Sequence, residues 1–289
     1  MSGVLAGRGI LVTGGNSGIG KVVARACVAA GADVAICGRS ESSLEATKTE
    51  LQALTRDEQR ISVIVADVSD PKAVSRLVST VTTQIPSLCG LVNAAGILGP
   101  KGDLDEVDVD EWIATIQVNL IGTMLLCRAV LPHLRAQGHG QIINFSGGGA
   151  TSPRPRFSAY AASKAAVVRL TENLAQELEG TGISVNAIAP GAVNTRMLEE
   201  VLEAGPGKVG EAAYTDALKQ KTSGGTSAEK AAALCVMLLA GDSGGMTGRL
   251  ISAVWDPWKS LHERKGELAR SDIYTLRRIV PADRGLNWD

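Results

Sequence analysis

Aromatic side chains are scarce in this chain. Four Trp, three Tyr and two Phe make 9 of 289 residues, or 3%. The core must therefore be mainly aliphatic, with little ring stacking. Four of the nine (Trp255, Trp258, Tyr274 and Trp288) fall in the last 35 residues, so that stretch differs from the rest. Cysteine is also thin. Cys27, Cys37, Cys89, Cys127 and Cys235 are scattered, odd in number and never at C-x-x-C spacing. That argues against a disulfide framework and against a zinc site. His133, His139 and His262 form no H-E-x-x-H pair, so no metal is expected. Neither sign of charge dominates: 29 basic side chains face 30 acidic ones, net −1. A nucleic-acid partner held by bulk positive charge is excluded. Apolar runs such as Ala231 to Ala240 fall short of the roughly 18 residues a bilayer span needs. The N-terminus has no basic segment leading into an apolar one. The expectation is a soluble cytoplasmic protein with no membrane partner.

What is present is an alternation of short apolar runs with helical patterns. Strands are expected at Gly9–Val12, Val34–Cys37, Ile61–Val65, Leu88–Val92, Gln141–Phe145, Ile183–Ile188 and Leu250–Val254. Helices are expected at 19–30, 41–54, 71–84, 109–136, 157–178 and 226–239. The strands are continuously apolar, as strands covered on both faces are. Helix-linked strands imply right-handed crossovers and a parallel sheet.

The first strand runs into Thr13-Gly14-Gly15-Asn16-Ser17-Gly18-Ile19-Gly20. A strand–turn–helix junction of this kind suits a pyrophosphate. Glycine permits the tight turn and a close backbone approach, and the helix N-terminus offers free N–H groups. The spacing is T-G-x-x-x-G-x-G rather than G-x-G-x-x-G. A glycine-rich turn without a ligand is the plainer alternative. At the end of the second strand, Cys37-Gly38-Arg39-Ser40 contains no acid to read a ribose 2′-hydroxyl. Arg39 instead suits a 2′-phosphate, which favours NADP, with NAD possible if Arg39 only caps a turn or stacks on adenine.

Tyr160 and Lys164, four residues apart at the start of a helix, share a face. A nearby cation favours phenolate and brings a phenol toward its working range. A lone Y-x-x-x-K carries little weight, but here it is one of an ordered set. T-G-G-N-S-G-I-G at 13–20, A-D-V at 66–68, V-N-A-A-G at 92–96 and Q-V-N-L at 117–120 come first. I-I-N-F-S at 142–146, Y-A-A-S-K at 160–164 and N-A-I-A-P-G-A-V-N-T at 186–195 follow. Over about residues 5–253 the chain resembles a short-chain dehydrogenase/reductase of the subfamily about 250 residues long.

The resemblance implies one doubly wound α/β domain of Rossmann type over residues 1–254. Its sheet would hold seven parallel strands in the order 3-2-1-4-5-6-7 with helices on both faces, and residues 255–289 would form an extension. Gly14, Asn16, Ser17, Gly18, Ile19 and Gly20 would hold the cofactor, together with Arg39 and Ser40. Asp67 and Val68 would contact adenine, while Asn93, Ala94, Ala95 and Gly96 would line the adenine-side ribose and the cleft floor. Pro190, Gly191, Val193 and Thr195 would fix the carboxamide. Tyr160 would donate the proton in reduction and accept it in oxidation. Lys164 would hold the ribose hydroxyls and lower the Tyr160 pKa. Asn119 would bend its helix and hold a water leading from Lys164 to solvent. The substrate would be a small carbonyl or secondary alcohol, and the assembly a homodimer or homotetramer.

Three departures stand out. The family's carbonyl-binding serine falls at Gly147, with Ser146 one position early. Neighbours on a strand point to opposite faces, so Ser146 reaches the substrate only if the Gly147-Gly148-Gly149 backbone deviates. Either Ser146 substitutes, or a glycine amide, Ser152 or Ser158 does, or the site is weakened. In the last case the chain is a cofactor-binding scaffold or sensor. Gly147→Ser raising turnover greatly would favour impairment. Second, Ala94 stands where a second asparagine is usual. Third, Arg154 and Arg156, between prolines, either read an anion or are solvated loop arginines. Residues 197–223 correspond to the family's lid, where Leu198, Val201, Leu202 and Tyr214 cover substrate or fill core. The tail carries 13 of the 59 charges in 35 residues, with Ile273, Leu276, Ile279, Val280 and Trp288 as apolar anchors. It is read as a subunit clamp, a pocket wall or a segment packed on its own subunit.

Overall fold

The computed structural model describes residues 3–56, 58–241 and 245–288. Seven parallel strands run in the order β3-β2-β1-β4-β5-β6-β7, as expected. They are β1 (Gly9–Thr13), β2 (Asp33–Gly38), β3 (Ile61–Val65), β4 (Leu88–Asn93), β5 (Gly140–Phe145), β6 (Ile183–Ala189) and β7 (Leu250–Ser252). The last strand is two residues shorter than expected, because Val254 and Trp255 turn back and donate their amides to the Ser252 hydroxyl. In β1 and β4 every residue is buried, which accounts for runs with no polar alternation.

Helices cover both faces. α1 (Gly18–Ala29), α2 (Glu41–Gln52) and α9 (Ala228–Ala240) lie on one side. Val23, Cys27, Leu44, Leu234 and Leu238 meet Ile10, Val12, Ile143 and Phe145 there. On the other side lie α3 (Pro71–Gln84), α4 (Val109–Ile116), α5 (Gly122–Gln137) and α6 (Ser158–Glu177). Leu77, Val81, Leu126 and Val130 meet Leu11, Leu91 and Val185 on that face. Ends follow capping chemistry. Asp70, Asp108 and Ser227 cap α3, α4 and α9 with side-chain oxygens, and Gly138 and Gly241 close α5 and α9 in the left-handed region. α4 and α5 join through a π-helical turn at Gln117–Ile121. The resulting 29-residue helix has the length and composition of a membrane span, yet it packs on α3, α6, β4 and β5 as a core helix.

Residues 197–223 form two helices, α7 (Arg196–Val209) and α8 (Glu211–Ser223). The remaining elements are 3₁₀ turns at Trp258–Arg264 and Pro281–Arg284, with α10 (Lys265–Ala269) between them.

The tail lies along the β7 side of its own chain. The Leu250 amide donates to the Tyr274 carbonyl at 2.8 Å, and the Asp256 carboxylate accepts from the Ser252 amide at 2.6 Å. Leu261 and Leu268 enter the core, and Trp258 and Tyr274 pack against it. Of the expected anchors, Leu276 packs inward, whereas Ile273, Ile279 and Trp288 are exposed. A cavity of about 760 Å³ lies between the tail and the starts of β5 and β6, at the opposite end of the strands from the glycine-rich turn.

Arg249 ties the tail down. Its guanidinium donates to the carbonyls of Ser271 at 2.9 Å, Ile273 at 2.7 Å, and Leu268. Arg249→Ala leaves three carbonyls short of a charged donor. The expected loss is about 2–3 kcal/mol in the urea unfolding free energy. A loss below about 0.5 kcal/mol would mean that the tail is held by its apolar contacts alone.

Candidate active site

In a parallel sheet the crevice opens beyond the carboxyl ends of the strands, where the order reverses between β1 and β4. Gly14 and Gly18 take φ of +63° and +49°, which a side chain would strain. A Cβ on Gly20 would collide with the Gly14 carbonyl oxygen, so α1 packs directly under the turn. Thr13 anchors the turn from below: its hydroxyl accepts from the amides of Ala94 at 3.1 Å and Ala95 at 3.0 Å. Thr195, ahead of α7, closes over the turn, its methyl 3.7 Å from where a Gly18 Cβ would stand. The backbone here is compact and open to a phosphate, so the residues fit a dinucleotide.

Several expected cofactor residues also serve the fold. Asn16 donates to the Ser43 hydroxyl at 3.1 Å, and Ser40 caps α2 by accepting from the Ser43 amide. Asp67 accepts from the Ser69 hydroxyl at 2.6 Å and amide at 2.8 Å. Burial pushes the Asp67 carboxyl up, but Ser69 and the charge of nearby Arg39 outweigh it and lower the pKa. Arg39 is exposed, while Val68 is buried against Gly122. The Asn93 amide turns inward: it donates to Asn144 at 2.9 Å, and Asn144 donates to Thr171 at 2.9 Å. Asn93 thus reaches the crevice through its backbone only, at the end of β4. Gly191 takes φ of +86°, and a Cβ there would collide with Val254. The Val193 amide bonds back to the Gly191 carbonyl.

Asn119 lies in the π turn. Its Oδ1 accepts from the Ile97 amide at 2.9 Å, and its Nδ2 donates to the Ile97 carbonyl at 2.9 Å and the Ser163 hydroxyl at 3.0 Å. Its own carbonyl accepts from Thr123 at 2.8 Å. Ser163 carries no separate sequence signal beyond its place inside Y-A-A-S-K.

Lys164 is buried and donates to the Phe145 carbonyl at 2.9 Å, which uses one of its three N–H donors. Gly96 lies over Lys164 and Asn119, where a Cβ would stand 3.6 and 3.2 Å from their polar atoms. Tyr160 is also buried. Burial pushes its phenol up, and the opposing charge is that of Arg154, a residue that sequence reasoning left in the loop. The Lys164 ammonium stands 5.7 Å from the Tyr160 ring centroid.

The Tyr160 hydroxyl sits over Gly147. A Cβ on Gly147 would collide with that oxygen and stand 3.1 Å from Cζ. The Ser146 hydroxyl is buried and has no hydrogen-bond partner among the described residues. Ser158 accepts from the Trp112 indole at 3.1 Å, and Ser152 is exposed. The amides of Gly148 and Gly149 have no acceptor among the described residues. Leu198 and Val201 are buried in the cluster that contains Phe157 and Tyr160, with Leu202 and Tyr214 packed against it. The α7–α8 pair therefore roofs Tyr160.

Two outcomes follow. Gly147→Ala should move Tyr160 and cost about 1–3 kcal/mol on urea unfolding, as overpacking does. Unchanged stability with an unmoved ring in a crystal structure would show that the site accepts a side chain there. Burial also pulls the Lys164 ammonium from the ordinary 10.5 down to about 8. Above about pH 8 the unfolded chain holds this proton and the folded chain releases it, so the Lys164 contribution to stability rises with pH. The urea midpoint of wild type relative to Lys164→Met should climb between pH 8 and about pH 9.5. A constant difference would place an ordinary, hydrated lysine at this position.

Comparison with known proteins agrees with this geometry. The family model described as short chain dehydrogenase matches residues 8–205. A short chain dehydrogenase of Pseudocercospora fijiensis is 40% identical over 197 residues, 68% of this chain and 62% of that protein, so the chain spans under two thirds of its length. A levodione reductase of Leifsonia aquatica is 36% identical over 196 residues, 68% of this chain and 73% of the relative. Among solved structures, an actinorhodin polyketide ketoreductase variant with NADPH superposes with a TM-score of 0.78 at 28% identity. That match covers 91% of this chain and 99% of the ketoreductase.

Proposed function

Because the chain belongs to the short-chain dehydrogenase family, we propose that it is an oxidoreductase that interconverts a carbonyl and a secondary alcohol with a nicotinamide cofactor, NADP preferred. The carrying observation is the crevice face of α6, where the Tyr160 hydroxyl rests on a bare glycine and Lys164 keeps two N–H donors unused. The cofactor, when bound, supplies or accepts the hydride.

The chain's own residues handle the proton and the orientation. Burial keeps Tyr160 protonated near neutral pH, which suits donation to a carbonyl oxygen during reduction. Lys164 would hold ribose hydroxyls with its free donors. The turn at residues 13–20 would hold the pyrophosphate, and Thr195 would close over it. Arg39, exposed at the end of β2 where the chain carries no acid, supports a 2′-phosphate and hence NADP, with Asp67 at the end of β3 as its nearby carboxylate. With Gly147 lacking a hydroxyl, the free amides of Gly148 and Gly149 are the donors available to a substrate oxygen. The α7–α8 roof would exclude water. A homodimer or homotetramer is proposed on the family resemblance, and a cytoplasmic setting on the scattered, unpaired cysteines.

The missing hydroxyl at Gly147 favours one second reading, a cofactor-binding scaffold with weak turnover. NADPH and NADH oxidation over a panel of ketones and oxo acids separates the two. Tyr160→Phe should lower turnover by about 10²–10⁴-fold while leaving NADPH binding intact. Arg39→Ala should lower kcat/KM with NADPH by about tenfold or more and spare NADH. Tight NADPH binding without any Tyr160-dependent turnover would replace the enzyme by the scaffold.

A further inference from the structure

Four arginines among the described residues are half-buried: Arg8, Arg154, Arg156 and Arg249. Three of them have acceptors. Arg8 donates to the carbonyls of Leu239 and Ala240. Arg156 donates to the Gly207 carbonyl at 2.5 Å and pairs with Asp103 at 3.3 Å. Arg249 holds the tail carbonyls. The Arg154 side chain makes no hydrogen bond or ion pair among the described residues, its carbonyl alone accepting from the Phe157 amide. Its guanidinium lies 4.2 Å from the Phe157 ring centroid and 5.5 Å from that of Tyr160. One of its nitrogens stands 3.7 Å from where a Gly148 Cβ would be.

A guanidinium stays charged at any working pH. Withdrawing it from water without an acceptor costs free energy, and two ring faces offset only part of that. Burial indeed pulls its pKa down. The loop does not let it swing free. Pro153 and Pro155 fix φ on either side, and Arg156 pins the next residue to the end of α7 and to Asp103. Five N–H donors are therefore held beside the phenol with no protein acceptor among the described residues.

We propose that Arg154 is the receptor for a carboxylate carried by the carbonyl substrate. This rests on the oxidoreductase reading above. A planar fork matches a carboxylate with two parallel bonds. Of the neighbouring cations, Arg156 is paired with Asp103 and Lys164 is assigned to the cofactor ribose in that reading, so Arg154 is the cation left for one negative charge on the substrate. Phe157, Leu198, Val201 and the rim of Tyr160 supply an apolar wall for the rest of the substrate.

The test compares kcat/KM for 2-oxobutanoate, 3-oxobutanoate and 4-oxopentanoate with that for their methyl esters. Wild type, Arg154→Gln and Arg154→Lys are assayed with NADPH, beside calorimetric binding of the acids to the NADP⁺-loaded protein. At least one acid should surpass its ester about tenfold in wild type. Arg154→Gln should lower that acid about ten- to hundredfold and its ester less than about threefold, with Arg154→Lys between. An acid-to-ester ratio that Arg154→Gln leaves unchanged overturns the proposal. So does an equal loss on acid and ester with a shifted pH profile, because Arg154 then acts on Tyr160 rather than on substrate. If no carbonyl is turned over, the oxidoreductase reading fails, and binding decides the receptor separately. Acid binding that is lost in Arg154→Gln upholds it; no acid binding to wild type sinks it.

Discussion

Asn119 uses both ends of its amide on the backbone of one residue, Ile97, and also donates to Ser163. Those three bonds join the loop after β4, the long helix and α6, three segments far apart in sequence. The π turn is what presents the amide there, because an extra residue in one turn rotates the side chain off the regular helix face. Ser163 lies between Tyr160 and Lys164 on the chain, so the position of the phenol and the ammonium over the crevice is inherited from this one side chain. The glycine at position 96 belongs to the same constraint: a Cβ there would press on the Asn119 Oδ1 at 3.2 Å and touch the Lys164 ammonium at 3.6 Å.

Around that fixed point, the site departs from family habit in a coherent way. A side chain at residue 147 is incompatible with the present seat of the Tyr160 hydroxyl. The phenol occupies the volume that a side chain at 147 would fill, with the Arg154 guanidinium 5.5 Å and the Lys164 ammonium 5.7 Å from its ring centroid. The cost of a buried phenol and a buried ammonium is carried by the surrounding aliphatic packing. That division of labour explains where the rings went. Four of the five aromatics before the tail belong to the α6 neighbourhood: Trp112 bonds Ser158, and Phe157 and Tyr214 pack with Tyr160, whereas the Phe145 ring lies on the other face of the sheet with α1 and α9.

The strands were legible in sequence because strands buried on both faces write themselves as apolar runs such as Ile10-Leu11-Val12, whereas their order came from the family resemblance. The turn at residues 13–20 was legible for the same reason that it works, since only glycine tolerates its backbone. What escaped was set by contacts between distant residues. The inward turn of Asn93 depends on Asn144 and Thr171, and nothing adjacent in sequence announces it. In sequence, residues 197–223 read as a lid whose apolar side chains cover substrate or fill core, and their helical form stays hidden because Gly205, with φ of +74°, and Pro206 interrupt the pattern. Arg154 and Arg156 were equivalent on paper. Only Asp103 and Gly207 distinguish them, by claiming one and leaving the other.

The way β7 ends has a bearing on assembly. An open sheet edge is a row of unused donors that invites another strand. Here the two outward amides of that edge, at Leu250 and Ser252, are already taken by the Tyr274 carbonyl and the Asp256 carboxylate of the same chain. The tail therefore works as a terminator of strand addition. A second copy approaching from this side meets a charged, turn-rich surface with Trp255 standing out from it, not a template for continuing the sheet. Copies that join there must do so through side chains, which makes such a contact separable from folding and open to change by single substitutions.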